Sequence, residues 1–334
     1  MNNTISKFLH EVSSSGLNVI DIGSSGELNP KWDRIKKFIN LIGFDPNAEE
    51  CERMNAIKTS FRSAKYLPYA IGGKSSLQDF YITKNLYCYS FLEPNFKWLK
   101  RFSFSELFEI DNVQKIQVST LAEVKELSGF DVDVIKCDTQ GLEYQILSTS
   151  KEFLSRSFYL EIETGFTENY SGETTYAQID QFLRQEGFLM FDININHRIA
   201  RKGPFENLKT GNEQILWAES TWLKDYCYLI SENKIDPREL NREKVLKVII
   251  LCSLMGCYDF GYELAVVFKD LGLIESSELQ KLKEIAEWKI KKEHFVNGMI
   301  ILLMRLMKSQ YREQVYKSVE RSLSYNRLFS RSTS

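Results

Sequence analysis

The sequence has few residues of the types that bind transition metals. It contains only three histidines, and none of its six cysteines belongs to a Cys-x-x-Cys pair. Because a structural zinc site needs four such ligands close together, we predict no metal site. Unpaired cysteines are typical of a reducing compartment, and we therefore expect a cytoplasmic protein.

Long apolar runs and an excess of charge of one sign are also missing. The longest apolar runs, 245–256 and 299–307, are interrupted by Lys247 and Arg305, and both are too short to span a bilayer. Residues 1–15 lack the apolar segment of a secretory signal. The formal net charge is -2, so no overall basic field favours binding to nucleic acid. We predict no nucleic-acid partner.

Short apolar runs alternate with amphipathic runs over the first two-thirds of the chain. The pattern predicts strands at 18–22, 40–44, 66–71, 132–137, 158–162, 188–193 and 214–218, and helices at 30–39, 142–147 and 176–186. An irregular stretch rich in tyrosine, serine and phenylalanine follows the third strand. Such alternation predicts an α/β fold in which a mostly parallel sheet carries helices on both faces.

The character of the sequence changes after Trp222. Strand signals end, and the remaining pattern predicts helices at 244–255, 258–271, 276–291 and 294–323. We therefore predict two domains, an α/β domain at 1–222 and an all-α region at 223–334.

Glycine and acidic residues follow the first predicted strand. Asp21, Gly23, Ser24 and Gly26 lie within one hexapeptide between that strand and a predicted helix. Glycines there let the backbone approach a ligand and leave amide groups facing it. Asp45 ends the second strand, and a carboxylate near that spacing accepts hydrogen bonds from ribose hydroxyls. The pattern favours a nucleoside ligand, and an ordinary strand–helix turn is the alternative.

A second group of charged residues surrounds a later predicted strand. Lys136 and Asp138 lie two residues apart and therefore share one face of the sheet. Asp138 ends the strand, at the edge where α/β sheets bind ligands. A lysine within a buried strand needs a partner, and we expect Asp138 or Glu143 to be that partner. The alternative is a structural ion pair without a catalytic role.

These segments resemble the FkbM family of methyltransferases. The signature of that family reads Lys-x-Asp-x-x-Gly-x-Glu, and it is matched here by Lys136, Asp138, Gly141 and Glu143. The glycine loop, an acid-Pro-Asn turn at 45–47 and several downstream motifs follow in the expected order. Several ordered motifs together are specific, although each alone is weak.

The resemblance implies a Rossmann-like class I methyltransferase fold with a seven-stranded, mostly parallel sheet. It also implies S-adenosylmethionine as the cofactor and O-methylation of a hydroxyl group on a small-molecule or glycan acceptor, such as a sugar or a natural product. By the same resemblance, the residues expected to bind the cofactor are Asp21, Gly23, Ser24, Gly26, Asp45, Asn47 and Asp138.

Three residues are candidate catalytic groups. Asp138 and Glu163 end predicted strands, and His197 lies in a polar loop, so each is a candidate base for removing a hydroxyl proton. The alternatives are a solvated strand-end carboxylate at Glu163 and an incidental histidine at 197. A non-catalytic binding module that kept the fold is the rival function. A nicotinamide-dependent oxidoreductase is disfavoured because the third glycine of the dinucleotide fingerprint is missing.

The end of the chain is basic. From Arg305 onward, seven basic residues stand against two acidic ones. This excess favours peripheral contact with an anionic membrane surface, and a solvated helix face is the alternative. The sequence makes no prediction of the oligomeric state.

Overall fold

A computed structural model describes residues 3–26, 28–195, 198–206 and 213–306, with the backbone alone for residue 3 and for 293–306. Its strands are β1 (Leu17–Ile22), β2 (Ile39–Phe44), β3 (Ser63–Leu67), β4 (Ala70–Ile71), β5 (Ser76–Thr83), β6 (Ile110–Ser119), β7 (Val134–Cys137), β8 (Tyr159–Gly165), β9 (Phe188–Asn194), β10 (Arg198–Ile199), β11 (Gln214–Ile215) and β12 (Trp217–Lys224). Its α-helices are α1 (Asn3–Glu11), α2 (Ala48–Ala56), α3 (Phe96–Leu99), α4 (Glu143–Thr149), α5 (Lys151–Arg156), α6 (Tyr176–Gln185), α7 (Tyr226–Ser231), α8 (Arg242–Met255), α9 (Tyr258–Asp270) and α10 (Ser276–Leu306).

Packing divides the chain into two compact units. One unit comprises 17–224, and the other joins the described residues of 1–16 to those from 225 onward. This division differs from the expected boundary at the N-terminal end, because α1 packs against α8 and α10. The apolar side chains of Ile5, Phe8 and Leu9 on α1 are buried.

A seven-stranded sheet forms the centre of the 17–224 unit, in the order β3-β2-β1-β7-β8-β12-β9. The first five strands of this order are parallel, and β12 runs antiparallel to both of its neighbours. The predicted mostly parallel sheet is therefore confirmed. Ile20, Ile135 and Trp222 from the strands share one buried core with Ile146 of α4 and Ile179 of α6. A sheet covered in this way leaves the strand ends as its accessible edge.

The helix predicted at 30–39 is wrong. Residues Pro30–Arg34 and Lys36–Phe38 form two short 3₁₀ helices, and β2 begins directly after the second of them. Asn29 caps the first of these helices, since its side chain accepts a hydrogen bond from the Lys31 amide at 3.1 Å. Trp32, one of the apolar residues whose spacing indicated a helix, is buried. Its ring packs edge-on against that of Tyr159, with the ring centroids 5.6 Å apart.

The stretch expected to be irregular contains a second sheet. Strands β5 and β6 pair antiparallel, and β4 joins β6 to give the order β4-β6-β5. Most of β6 is exposed or half-buried, so its sequence lacks the apolar alternation that indicates a strand. The strand predicted at 66–71 is divided, because Ser63–Leu67 belongs to the central sheet and Ala70–Ile71 to the smaller one.

The helical unit is tied together by charged side chains. The Arg242 guanidinium contacts Glu278 at 2.9 Å and also bonds to Glu11, and Lys7 contacts Glu278 at 3.0 Å. The two helices predicted at 276–291 and 294–323 form one continuous helix, α10, as far as Leu306, and the rest lies outside the described residues. None of the described helices is long and apolar enough to cross a membrane.

A row of charged side chains crosses the centre of the sheet. Asp21 on β1, Lys136 on β7 and Glu161 on β8 are aligned in register. The Lys136 ammonium contacts the Asp21 carboxylate at 2.9 Å, and Glu161 pairs with Lys31. Burial lowers the pKa of Lys136, but the Asp21 and Asp138 carboxylates outweigh this effect and raise it. The partner of Lys136 is therefore Asp21, and the expectation of Asp138 or Glu143 is wrong.

We expect Lys136→Met to destabilise the sheet, because it leaves the buried Asp21 carboxylate without its partner. Loss of one member of a buried ion pair costs about 3–5 kcal/mol of the free energy of unfolding, whereas replacing both members by apolar residues is often neutral. The double variant Asp21→Leu/Lys136→Met should therefore recover most of the loss in urea unfolding. If the loss of stability in the double variant equals the sum of the losses in Asp21→Leu and Lys136→Met, this account is wrong.

Candidate active site

A cavity of about 850 Å³ opens at the carboxyl ends of the parallel strands. Its lining comes from the ends of β1, β2, β7 and β8, the start of β12 and the smaller sheet. The volume lies within the range of about 300–1,000 Å³ that is typical of ligand-binding cavities. Because open α/β sheets bind ligands at this edge, the cavity is the candidate active site.

The loop after β1 borders the cavity through Gly23 and Ser25. The amide groups of Gly23 and Ser24 both donate to the carbonyl oxygen of Phe44, at 2.9 Å. For these two amides the expectation that they face a ligand is wrong, because β2 uses them to hold the loop. Ser24 is buried, and among the described lining residues neither Ser24 nor Gly26 is found.

Gly23 also lies against the backbone that follows β7. Its φ is +80°, and a Cβ atom at this position would overlap the carbonyl oxygen of Asp138. Gly26 has a similar φ of +90°, but a Cβ atom there would meet no described atom within 4 Å. Glycine is therefore required at position 23 by the close contact between two strand ends.

Asp45 and Asn47 line the cavity at the end of β2. The Asp45 Oδ1 atom accepts a hydrogen bond from the Asn47 amide at 2.8 Å, and the Asn47 side chain caps α2 by accepting from the Glu50 amide at 3.2 Å. Burial raises the pKa of the Asp45 carboxyl. Among the described residues no other group hydrogen-bonds to this carboxylate, so its second oxygen is available to a ligand that donates.

Asp138 and Glu163 stand side by side at the ends of β7 and β8. The Gln140 side-chain amide donates to both carboxyl groups, at 2.9 Å to Asp138 and 2.5 Å to Glu163. Burial and the neighbouring Asp138 carboxylate raise the pKa of Glu163 well above its ordinary range. Two carboxyl groups this close do not both ionise readily, which is why the pKa of Glu163 is raised beyond the effect of burial alone.

Gln140 is held in place by further contacts. Its oxygen Oε1 accepts a hydrogen bond from the Tyr170 hydroxyl at 3.0 Å, and its carbonyl oxygen accepts from the Ser90 hydroxyl at 2.7 Å. Its φ of 56° lies in the left-handed region that non-glycine residues rarely adopt. The surroundings therefore fix a strained residue between the two carboxyl groups.

Two other buried carboxyl groups shape the loops around the cavity. Glu143 accepts from the Thr139 amide at 2.7 Å and from the Gly141 amide at 3.1 Å. Glu173 accepts from the Asn169 amide at 2.7 Å and from the Tyr170 amide at 3.1 Å. Burial raises the pKa of Glu143 to about 7 and that of Glu173 to about 8. Both side chains hold backbone in place rather than reach for a ligand.

The structure brings most of the predicted residues to one cavity. Gly23, Asp45, Asn47, Asp138 and Glu163 line it, whereas Asp21 stands behind it as the partner of Lys136. His197 lies outside the described residues.

Gln140 and Tyr170 were missed by sequence reasoning. They lie thirty residues apart and meet only through folding, so no local pattern indicates their contact. Gln140 lies between Asp138 and Gly141, two defining positions of the family signature. This position was the one sequence signal that indicated Gln140.

Comparison with known proteins gives the family. Residues 27–190 match the model of the methyltransferase FkbM domain. This part of the chain belongs to the FkbM methyltransferase family. A search of curated proteins found no match.

Solved structures that are similar to this chain are distant from it in sequence. A TehB-like S-adenosylmethionine-dependent methyltransferase from Corynebacterium glutamicum has 11% identity and a TM-score of 0.30, with coverage of 66% of this chain and 87% of its own. A putative tRNA methyltransferase from Streptococcus pneumoniae has 13% identity and a TM-score of 0.32, covering 86% and 97%. The N-methyltransferase NodS from Bradyrhizobium japonicum has 11% identity and a TM-score of 0.29, covering 66% and 93%. These scores are too low to bear on substrate or mechanism.

We expect Gly23→Ala to destabilise the FkbM domain more than Gly26→Ala does. Both glycines have positive φ, so each alanine carries the left-handed penalty of roughly 1–2 kcal/mol, but only the Cβ atom at position 23 overlaps Asp138. The additional displacement should bring the loss for Gly23→Ala to about 3 kcal/mol or more. Urea unfolding of the two variants measures the difference, and equal losses would show that the strand ends move apart without cost.

We expect the free energy of unfolding to fall as pH rises, because the buried Glu173 carboxyl group loses its proton. Because its pKa is raised from 4.5 to about 8 in the folded state, its protonated form stabilises the fold below about pH 4.5, and that contribution disappears as pH approaches 8. We expect Glu173→Gln to lose less stability than wild type between pH 5 and 8, by on the order of 3 kcal/mol. The exposed neighbour Glu168→Gln is the control, and parallel curves for all three proteins would refute the assignment.

Proposed function

We propose that this FkbM domain is an S-adenosylmethionine-dependent O-methyltransferase whose acceptor is a hydroxyl group of a sugar, glycan or natural product. The observation that carries the proposal is the Asp45 carboxylate, which lines the cavity beside the Gly23 loop with one oxygen available to a donor. A carboxylate at the end of the second strand is suited to bind the two ribose hydroxyls of a nucleoside.

The residues present fit this cofactor. Asp45 would bind its ribose, the Gly23 loop would lie against it, and Asn47 and Asp138 border the same space. The acidic lining suits a ligand whose sulfonium and ammonium groups outweigh its one carboxylate. When bound, the cofactor supplies a methyl group on a positively charged sulfur, which is a good leaving group.

The contribution of the chain itself is to position the acceptor and to move one proton. Holding the acceptor hydroxyl in line with the methyl group supplies much of the rate, because positioning replaces a bimolecular encounter. Asp138, at the end of β7, accepts the hydroxyl proton as general base. Gln140 holds the Asp138 and Glu163 carboxyl groups in a fixed arrangement.

The rival function is a binding module that kept the fold without catalysis. The geometry of Asp138, Gln140 and Glu163 favours the enzyme, because a carboxyl group with a raised pKa beside a second carboxyl group in a cavity is typical of functional sites. A cytoplasmic location, the absence of a nucleic-acid partner and membrane contact through the basic end of the chain stay predictions. The basic segment lies largely outside the described residues.

We expect Asp45→Ala to weaken binding of S-adenosylhomocysteine, the demethylated product of the cofactor. Loss of a charged hydrogen-bond acceptor costs on the order of 1–3 kcal/mol, which isothermal titration calorimetry detects readily. Asp131→Ala removes an exposed carboxylate away from the cavity and should bind as wild type does. Unchanged affinity in folded Asp45→Ala would remove this residue from the site, and no binding by wild type would favour the module.

A further inference from the structure

The cavity is strongly acidic. Among the described residues that line it, eight are aspartate or glutamate and one is basic, Lys136. That single ammonium group is already paired with Asp21. A phosphate or carboxylate on the acceptor would therefore find no unpaired cation among these residues, and it would be repelled by the carboxylates.

The carboxyl groups are concentrated at the half of the cavity formed by β7, β8 and β12. Glu163 and Glu219 are direct partners across the antiparallel pairing of β8 with β12, and Asp138 adjoins Glu163 through the Gln140 amide. Like charges opposite each other on a sheet are destabilising. We name Asp138, Glu163 and Glu219 the acidic edge. A bound cation would relieve the repulsion within it.

An aromatic surface adjoins the acidic edge. The rings of Trp217, Phe104, Phe108 and Tyr170 form a continuous chain, with centroid separations of 5.7, 5.2 and 5.7 Å, and all four residues line the cavity. We name these four residues the aromatic wall. The Tyr170 hydroxyl donates to Gln140, so the wall is linked to the acidic edge. Aromatic faces beside carboxylates are the usual surroundings of a bound ammonium group.

Asn169 supplies an independent indication of a donating ligand. It lines the cavity, is only 3% exposed, and its oxygen Oδ1 has no hydrogen-bond partner among the described residues. Its side-chain nitrogen donates to the Leu216 carbonyl oxygen at 3.5 Å, which orients the amide. A buried oxygen without a partner is costly, and a ligand carrying N–H or O–H groups removes that cost.

There is room for this ligand beside the cofactor. Asp45 at the end of β2 and Glu219 on β12 are separated by four strand spacings, or about 19 Å at about 4.8 Å each. The cofactor proposed above occupies the end formed by β1 and β2. The acidic edge and the aromatic wall stand at the opposite end and are left to the acceptor.

Resting on the proposed function, we propose that the methyl acceptor is a cationic, amine-bearing molecule with an apolar ring face, bound by the acidic edge and the aromatic wall together. Anionic acceptors are excluded by the same groups. This assigns the substrate a charge class and separates it from nucleic acids, phosphorylated sugars and acidic glycans. Methylation is directed to a hydroxyl, while the ammonium group serves recognition.

Three phenyl glycosides that differ in one substituent test the proposal: phenyl glucoside, its glucuronide with a terminal carboxylate, and the analogue with an amine in place of the terminal hydroxyl. We expect calorimetry on the full chain to show the amine analogue binding at least about tenfold more tightly than the glucuronide, with the glucoside between them, because like charges are repelled strongly in a partly desolvated site. Equal affinities, a preference for the glucuronide, or no binding of the amine at millimolar concentration would overturn the proposal.

A charge reversal locates the effect. Glu219 is exposed, and Glu219→Lys should reduce the preference for the amine to less than about twofold. The control Glu152→Lys makes the same charge change on α5, away from the cavity, and should leave the preference for the amine unchanged. An unchanged preference in Glu219→Lys would overturn the assignment of the acidic edge. Binding of S-adenosylhomocysteine to the same proteins is measured in separate titrations. Failure of that ligand to bind counts against the proposed function, whereas failure of glycoside discrimination counts against the inference.

Discussion

The close contact between the ends of β1 and β7 is the constraint on which the site depends. The Asp138 amide donates to the Ile22 carbonyl oxygen at 2.9 Å, and the next residue of each strand end, Gly23 and Asp138, meet so closely that no side chain fits between them. The end of β1 carries the Gly23 loop that borders the cavity, and the end of β7 carries Asp138 of the acidic edge. Their separation is therefore fixed by backbone contact and does not depend on a ligand.

Charge is distributed unevenly about this contact. Below it, Asp21, Lys136, Glu161 and Lys31 alternate in sign and neutralise one another within the sheet. Above it, carboxyl groups accumulate, and burial raises the pKa of Glu163 and of Glu173. Opposite charges are therefore paired within the sheet, whereas the carboxyl groups at the opening of the cavity have no basic partners among the described lining residues. An uncompensated field of this kind raises the local concentration of positively charged ligands.

The sequence predicts the parallel strands well, because each is a short buried apolar run that ends in a chemically distinctive residue such as Asp21, Asp45 or Asp138. It fails where tertiary contacts override local pattern. The apolar spacing of residues 30–39 is helical, yet burial of Trp32 against Tyr159 takes the segment into 3₁₀ turns. The smaller sheet could not be predicted because Val118 is the one buried residue of β6, so this strand has no apolar alternation. Of the site, the carboxylates could be anticipated from their strand ends, but their bridge through Gln140 and Tyr170 could not.

The packing of α1 into the helical unit has a consequence for synthesis of the chain. Arg242 binds Glu11 across 231 residues of sequence, and the whole sheet unit lies between them. At about 5–20 residues per second, the partners of α1 emerge from the ribosome roughly 12–46 seconds after it does. During that interval the apolar face of α1 has no place to bury, while the sheet unit can complete its own core. The sheet unit can therefore fold before α1 is secured, although α1 is synthesised earlier.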